Sequence, residues 1–411
     1  GAMVICLGQS NAINQFGDSG SYEAAQTLIM YLTGLASFTF CRGYTNLSQS
    51  YWTEYGGQGI APMSAGGASY YLQNPGSGDP SAWPPGNLLI STNAFISSLA
   101  SFDQATIVGF WSFYGENDTG YTYPNKQTFK SVAQRWMSLL RSYLPASQQS
   151  PSTSTMYWCM ALPFGGSPGE NVHKEVVVDL SNDPTQGVAV ALWQTADSNP
   201  RGSTYDPLTG AFSGGDSMHR DTLDNINFAI RIAPVISSKL ISNGQSEVGA
   251  IMPSGYSQNG GPFILSATYE GTSYYPTGSV LVTVQHDAGN DLIVPLLAST
   301  GLGFVVLNGV TSLANYSAGA VISATACARV DATHLRITLA SVLTYPATSC
   351  SLYYVFGPQG SANSNAGLGR GCAVTDNASS SVRTVDSAAD ISLSTVPNFP
   401  LRQTAYGVVL S

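Results

Sequence analysis

Charge is what this sequence has least of. Lys, Arg, Asp and Glu make up 9% of the 411 residues, against about 25% in ordinary soluble proteins. The formal net charge is −9, which removes the electrostatic footprint that nucleic-acid binding requires. Cysteines are few and scattered: Cys6, Cys41, Cys159, Cys327, Cys350 and Cys372 form no close pair. Without a C-x-x-C, a zinc or thiol-redox site is not expected. Cys6 and Cys159 sit in apolar, strand-like runs and read as buried thiols, while spacing alone leaves a Cys327–Cys350 pairing open. Long apolar runs are missing as well. The longest, Leu292 to Leu307, is broken by Pro295, Gly301 and Gly303 and is too short and interrupted to cross a bilayer. No internal repeat of fixed period is visible.

What is present is Gly, Ser, Thr, Asn and Tyr, with 43 glycines and 22 tyrosines. Hydrophobic residues still reach 43%, so the chain can bury a core and is not of disordered composition. Sparse charge over a polar, aromatic surface fits extracellular β-rich proteins and the surfaces of viral or phage fibres. The opening Gly1-Ala2-Met3 reads as an expression scar.

Along the chain, Val4-Ile5-Cys6-Leu7 is an apolar run ending at Gly8-Gln9-Ser10-Asn11, the pattern of a buried strand followed by a polar turn. Tyr22, Ala25, Leu28, Ile29 and Leu32 recur at helical spacing over Ser21–Leu35. Residues 36–90 read as irregular, and a short helix is expected over Asn93–Phe102. Thr106–Phe113 reads as a second buried strand, ending at Gly115-Glu116-Asn117-Asp118. The helix after it carries Phe129, Val132, Ala133, Trp136, Leu139, Leu140 and Tyr143 on one stripe, with Asn125 placed to cap it and Pro145 to close it. Strands are expected over Met156–Leu162 and Val188–Gln194, then a Gly/Ser/Asp-rich loop over 197–217, then a helix from Asp221 to Leu240. Strands alternating with helices predict an α/β fold with a parallel sheet. From about residue 246, helical periodicity gives way to short β-type runs: Ser279–Gln285, Phe304–Leu307, His334–Leu339 and Ser351–Phe356. These predict a β-sandwich. The expected domains are therefore 1–245 and 246–411, with a C-terminal tail that packs back on either one.

Three short blocks carry chemistry-bearing residues in order: Gly8-Gln9-Ser10-Asn11, Gly115-Glu116-Asn117-Asp118 and Asp216-Ser217-Met218-His219, with Ala65-Gly66-Gly67 between the first two. A serine at the carboxyl end of a buried strand stands where ligands bind in open α/β sheets. A neutral imidazole can take its proton, and an aspartate can orient that imidazole. His173, His286 and His334 have no acidic residue at suitable spacing and read as surface or structural. Glu116 and Asp118 raise the idea of a carboxylate pair for glycoside hydrolysis, which the rest of the pattern disfavours. Trp52, Trp83, Tyr70, Tyr71, Trp111 and Tyr114 are candidates for stacking on sugar rings, though some must be core.

Taken together, the blocks resemble the SGNH hydrolase superfamily, in particular its carbohydrate esterases, over roughly residues 4–240. The resemblance implies a flavodoxin-like esterase domain in which Ser10 is the nucleophile, His219 its base and Asp216 the orienting acid. It implies an oxyanion hole made by the Ser10 N–H, the Gly67 N–H (Gly66 being the alternative) and the Asn117 amide, with no metal and no cofactor. The implied substrate is an O-acetylated carbohydrate. An appended, lectin-like β-domain and sparse charge make the chain similar to phage tailspike deacetylases. That likeness implies a bacterial capsule or O-antigen as substrate, a homotrimer, an extracellular or virion location and no membrane insertion. The rivals are a carbohydrate-binding tail protein with a vestigial triad, a secreted bacterial acetylesterase, and a lipase or thioesterase on the same fold.

Overall fold

A computed structural model describes residues 1–8, 21–42, 53, 59–113, 118, 120–121, 123–159, 168–190, 200–202, 204–205, 212–213, 216–246, 261–286, 289–355, 368, 372–377 and 399–411. Two compact units divide the chain: Gly1–Ala161, Glu175–Ala191 and Ile232–Pro253 in one, Leu162–Lys174, Leu192–Arg231 and Ser254–Ser411 in the other.

The first unit is built on β1 (Ala2–Gly8), in which Val4, Ile5, Cys6 and Leu7 are all fully buried. Consecutive buried residues mean that both faces of the strand are covered, as parallel sheets require. Ala2 and Met3 belong to this strand, pairing with Phe38 and Thr39. With it belong α1 (Ser21–Thr33), β2 (Phe38–Cys41), α2 (Asn87–Ser98), α3 (Ser101–Gln104), β3 (Ile107–Phe113), α4 (Lys126–Ser142), β4 (Thr155–Cys159), the part of α5 (Pro168–Asn182) from Glu175 onward, and β5 (Val188–Val190). The sheet runs β2-β1-β3-β4-β5 with every pair parallel. This is the doubly wound order of the flavodoxin-like class. Trp136 of α4 meets Trp158 of β4 edge to face at 5.4 Å between centroids, which ties helix to sheet.

Several helices differ from the sequence expectation. α2 begins at Asn87 and stops at Leu99, which is extended; Leu88, Leu89 and Ile96 form its buried side, and Ser101–Gln104 is a separate turn of helix. Asn125 precedes α4 but makes no side-chain capping bond; its backbone carbonyl accepts from the Phe129 N–H instead. α5 was not expected. It buries Val172, Val176, Val177 and Leu180, but also His173, Lys174 and Glu175, so its periodic stripe is masked by polar residues.

The second unit contains β6 (Pro200–Arg201), β7 (Thr204–Tyr205), β8 (Phe212–Ser213), β9 (Asp216–Arg220), β10 (Phe263–Gly271), β11 (Ser279–Gln285), β12 (Leu292–Ile293), β13 (Phe304–Leu307), β14 (Val321–Arg329), β15 (His334–Leu339), β16 (Ser351–Tyr354), β17 (Thr375–Asp376) and β18 (Val408–Val409). Before β10 lies α6 (Thr222–Ser242), within which the division between the units falls. Seven strands form an antiparallel sheet in the order β10-β11-β15-β14-β13-β16-β18. β14 pairs with β13 through Val321–Ser323 and with β15 from Ala324 onward, with a register shift between Ala324 and Ala326. The two ends of the order then meet. Leu410 bridges Ala267 in parallel, and the Ser411 N–H reaches the Ala267 carbonyl at 3.0 Å. β14 thus joins the strands β10-β11-β15 to β13-β16-β18, and the bridge from Leu410 to Ala267 closes the circuit. Its interior holds Val282, Phe304, Leu335, Ile337, Leu352 and Tyr354, all fully or nearly fully buried. Cys327 and Cys350 are both buried and not joined to each other; the Cys350 thiol lies 3.5 Å from the side-chain amide oxygen Oδ1 of Asn308.

Arg141, at the end of α4 and 7% exposed, donates to the carbonyls of Ser154 (3.1 Å), Gln186 (2.7 Å) and Gly187 (3.2 Å). It thereby fastens the approaches to β4 and β5, and burial lowers its pKa to about 10. Arg141→Leu removes these bonds at a cost of about 2–3 kcal/mol. Thermal unfolding is expected to begin about 5–10 °C lower, measured by calorimetry.

Candidate active site

In a doubly wound sheet the ligand crevice opens where the strand order reverses, at the carboxyl ends. Here that point lies between β1 and β3, which end together: Gly8 pairs with Phe113. From β1 the chain proceeds by α1 to β2 on one side, and from β3 by α4 to β4 on the other. Ser10 follows the end of β1 by two residues, and Asn117 follows the end of β3 by four. Both lie outside the described residues, as do Trp52, Tyr114 and Glu116.

Asp118, next to Asn117, is described and 1% exposed. Its carboxylate accepts the Ile60 N–H at 3.0 and 3.1 Å through its two oxygens, and the Ala61 N–H at 3.4 Å. Occupied by two backbone amides and closed to solvent, this carboxylate is not placed for glycoside hydrolysis; Glu116, the other member of that pair, lies outside the described residues. Gly59 stands against the same group, where an added Cβ would come within 2.5 Å of Oδ1. The segment then runs to Pro62, whose carbonyl accepts from Tyr121 Oη at 3.2 Å and from Asn74 Nδ2 at 3.1 Å. Burial, then the charge of Asp118, raises the pKa of Tyr121 and keeps its hydroxyl a donor.

Gly66 and Gly67 both have positive φ, 130° and 86°. The Gly66 N–H is engaged, donating to the Asn74 carbonyl at 2.8 Å, and the Gly66 carbonyl accepts from the Asn74 N–H at 3.0 Å. Gly67 packs on the Pro62 ring, where a Cβ would fall 2.4 Å from Cγ. A cleft of about 180 Å³ opens beside this loop, lined by Met63, Asn74, Gly76, Trp83, Tyr121 and Asn125 among others. Of the candidate sugar-stacking aromatics, Tyr71 and Trp111 are fully buried and belong to the core; Trp83, 5% exposed, is among the residues lining the cleft, and Tyr70 is half-buried.

Asp216 and His219 occupy β9 rather than a loop. Two residues three apart on a regular strand face opposite ways, but β9 is not regular. Pro200 pairs with Arg220 while the next residue, Arg201, pairs with Asp216. Ser217, Met218 and His219 therefore form a bulge, a device that re-aims side chains. His219 itself is half-buried.

The other histidines need correction. His334 does have an acidic partner, Asp331 at 2.9 Å, in the turn between β14 and β15; His286 has Asp376 at 3.4 Å. His173 is fully buried in α5. Asp331-Ala332-Thr333-His334 is a second Asp-x-x-His in the chain, which motif reading passed over. Missed also was the cluster at the start of α4: Lys126 contacts Glu175 at 2.7 Å and Asp179 at 3.3 Å, and the Tyr123 hydroxyl donates to Glu175. Their partners lie on α5, which the sequence did not announce. Among the described residues no group of His, Cys, Asp and Glu is arranged to hold a metal, and no helix is long and apolar enough to cross a membrane.

No protein-family profile and no curated protein matches the chain. Among solved structures, a family two carbohydrate esterase from Clostridium thermocellum in complex with cellohexaose is similar at 15% identity and a TM-score of 0.31. An active-site mutant of a family two carbohydrate esterase from the same organism scores 0.32 at 15% identity. Each alignment spans 58% of this chain and 64% of the other, under two thirds of those esterases' length. A two-domain esterase active on acetylated mannans, co-crystallised with mannopentaose, is similar at 10% identity and a TM-score of 0.27, over 85% of this chain and 89% of that one. Scores this low do not establish a common fold, and the functional reading below rests on the chain's own residues.

The Asp331 turn yields a direct test of the electrostatics of that turn. The Thr333 N–H, then the His334 ring, hold the Asp331 pKa down at about 2. A carboxyl-carbon NMR titration is expected to place Asp331 at about 2, and His334→Gln to leave most of the shift, because the amide is the larger cause.

Proposed function

We propose that this chain is a serine esterase that removes O-acetyl groups from a carbohydrate. Ser10 is the nucleophile, His219 the base and Asp216 the residue that orients the imidazole. The observation that carries the reading is topological. The Ser10 and Asn117 blocks directly follow β1 and β3, the two strands that flank the switch point of a β2-β1-β3-β4-β5 sheet, where this class of fold binds ligands.

The chemistry follows from the residue types. Ser10 Oγ attacks the acetyl carbonyl while the neutral His219 imidazole takes its proton. The imidazolium returns that proton to the departing sugar hydroxyl, and water then releases acetate from the acyl-serine by the same steps in reverse order. Donors aimed at the oxyanion come from the Ser10 N–H, the Asn117 amide and the Gly67 N–H. Gly67 is favoured over Gly66 because the Gly66 N–H is already held by Asn74.

In this reading residues 1–245 form the esterase region. Residues 246–411 serve polymer contact and subunit assembly, in a lectin-like manner, within a trimeric phage tailspike acting outside the cell on a bacterial surface polysaccharide. Low charge and the closed antiparallel sheet support that part.

Ser10→Ala and His219→Ala are each expected to reduce p-nitrophenyl acetate turnover by ~10³-fold or more, with circular dichroism unchanged. Gly67→Ala, strained at φ 86°, is expected to lower kcat by ~10²-fold. Acetate release from a panel of acetylated bacterial polysaccharides identifies the substrate; a wild-type-like Ser10→Ala rate would overturn the mechanism. Dialysis against EDTA is expected to leave the rate unchanged, and a rate restored only by a divalent metal would contradict the proposed chemistry.

A further inference from the structure

We propose that Asp118 is a positioning residue that holds the two oxyanion-donor segments of the esterase site in register; the proposal rests on the esterase reading above. Asp118 directly follows Asn117 in the chain and is the described residue through which the proposal reaches that donor. Its anchorage is to the other segment: Asp118 accepts the N–H groups of Ile60 and Ala61, 58 and 57 residues earlier in the chain. From Ala61 the linkage continues without slack. The Pro62 carbonyl is fixed by Tyr121 and Asn74, and the Pro62 ring packs against Gly67 so closely that no Cβ fits between them. Asn74 also clamps Gly66 through a pair of backbone bonds. One carboxylate thus connects the residue after Asn117 to the stretch that presents the Gly67 N–H.

A carboxylate suits this task better than a neutral group. Two oxygens can accept from two successive amides at once, and bonds from N–H to an ionised acceptor are roughly twice as strong as neutral ones. Burial at 1% exposure raises the electrostatic cost of any displacement. Oxyanion stabilisation is sensitive to such displacement, since a misplacement of about 1 Å from a distant change costs ~10²-fold in rate. Gly59 supplies an independent lever. An Ala there would meet both Asp118 oxygens, at 2.5 and 2.8 Å, and so would push the carboxylate aside without removing its charge.

The test compares wild type with Asp118→Ala, Asp118→Asn, Gly59→Ala and, as a stability control, Arg141→Leu, using p-nitrophenyl acetate and hydrogen exchange of the amides from Ile60 to Gly67. The expected result is a ~10²-fold loss of kcat in Asp118→Ala and Gly59→Ala, with KM within about threefold of wild type. Asp118→Asn keeps one oxygen acceptor and is expected to recover part of the loss. Amide exchange in the 60–67 segment should rise in the same variants, whereas Arg141→Leu should melt earlier with kcat unchanged. If Asp118→Ala and Gly59→Ala keep wild-type kcat while Ser10→Ala is dead, the positioning role is overturned and the esterase reading stands. A fall in kcat without faster exchange at Ile60–Gly67 also overturns the linkage. An inactive wild-type protein overturns both readings.

Discussion

A buried charge is costly unless it is hydrogen-bonded, and three of the charged side chains that this protein buries are bonded to main chain. Asp118 accepts from the Ile60 and Ala61 amides. Arg141 donates to three carbonyls ahead of β4 and β5, and Lys174, fully buried in α5, donates to the Val355 carbonyl at 3.1 Å. Val355 has a φ of 58°, the left-handed region that a β-branched residue seldom enters; the Lys174 bond is one of the contacts that hold it there. In these three cases the partner is main chain outside the α-helices and β-strands. The charged residues thus pin irregular segments, and the regular elements are left to apolar packing.

That division of labour explains what the sequence made legible. β1, β3 and α4 stand out because burial on both faces demands unbroken apolar residues and burial on one helix face demands a stripe. Val4–Leu7 and Phe129, Val132, Ala133 and Trp136 satisfy those demands. α5 does not, because His173, Lys174 and Glu175 interrupt its apolar face while being buried themselves. β10 and β14 were equally hidden. The exposed and half-buried positions of β14 are mostly Ser, Thr and Ala, while β10 leaves Ile264 and Leu265 partly or fully exposed and buries Ala267, and the bulges at Ile264/Ser266 and Ala324/Ala326 break the alternation that a strand pattern needs. β9 escaped because a strand flanked by Gly and Ser is held by backbone pairing, to which side-chain composition gives little clue.

The blocks proposed for catalysis stand out in the sequence because each is a short contiguous stretch. Asp118 was part of one such block, yet its role was not readable. Its partners are main-chain amides, which look alike at every residue, and they sit 58 positions away in an irregular segment. The choice between Gly66 and Gly67 had the same character. Both are glycines with positive φ, and what distinguishes them is the bond that the Gly66 N–H makes to Asn74.

The two Asp-x-x-His sequences show how far a spacing alone can be trusted. The Asp331 carboxylate and the His334 ring lie 2.9 Å apart, within hydrogen-bonding distance, so three-residue spacing across a turn is sufficient to join an aspartate and a histidine. The same carboxylate also accepts the Thr333 N–H at 2.8 Å and the Thr333 hydroxyl at 3.2 Å, the pattern of an aspartate stabilising its own turn. A carboxylate so loaded is a poor base for orienting an imidazole, and the pair closes the β14–β15 turn. Asp216 and His219 differ in what accompanies them. Their segment is bulged out of register, and the nucleophile and oxyanion blocks precede them at the ends of the two strands that flank the switch point. The spacing is common to both, so the case for catalysis rests on that company.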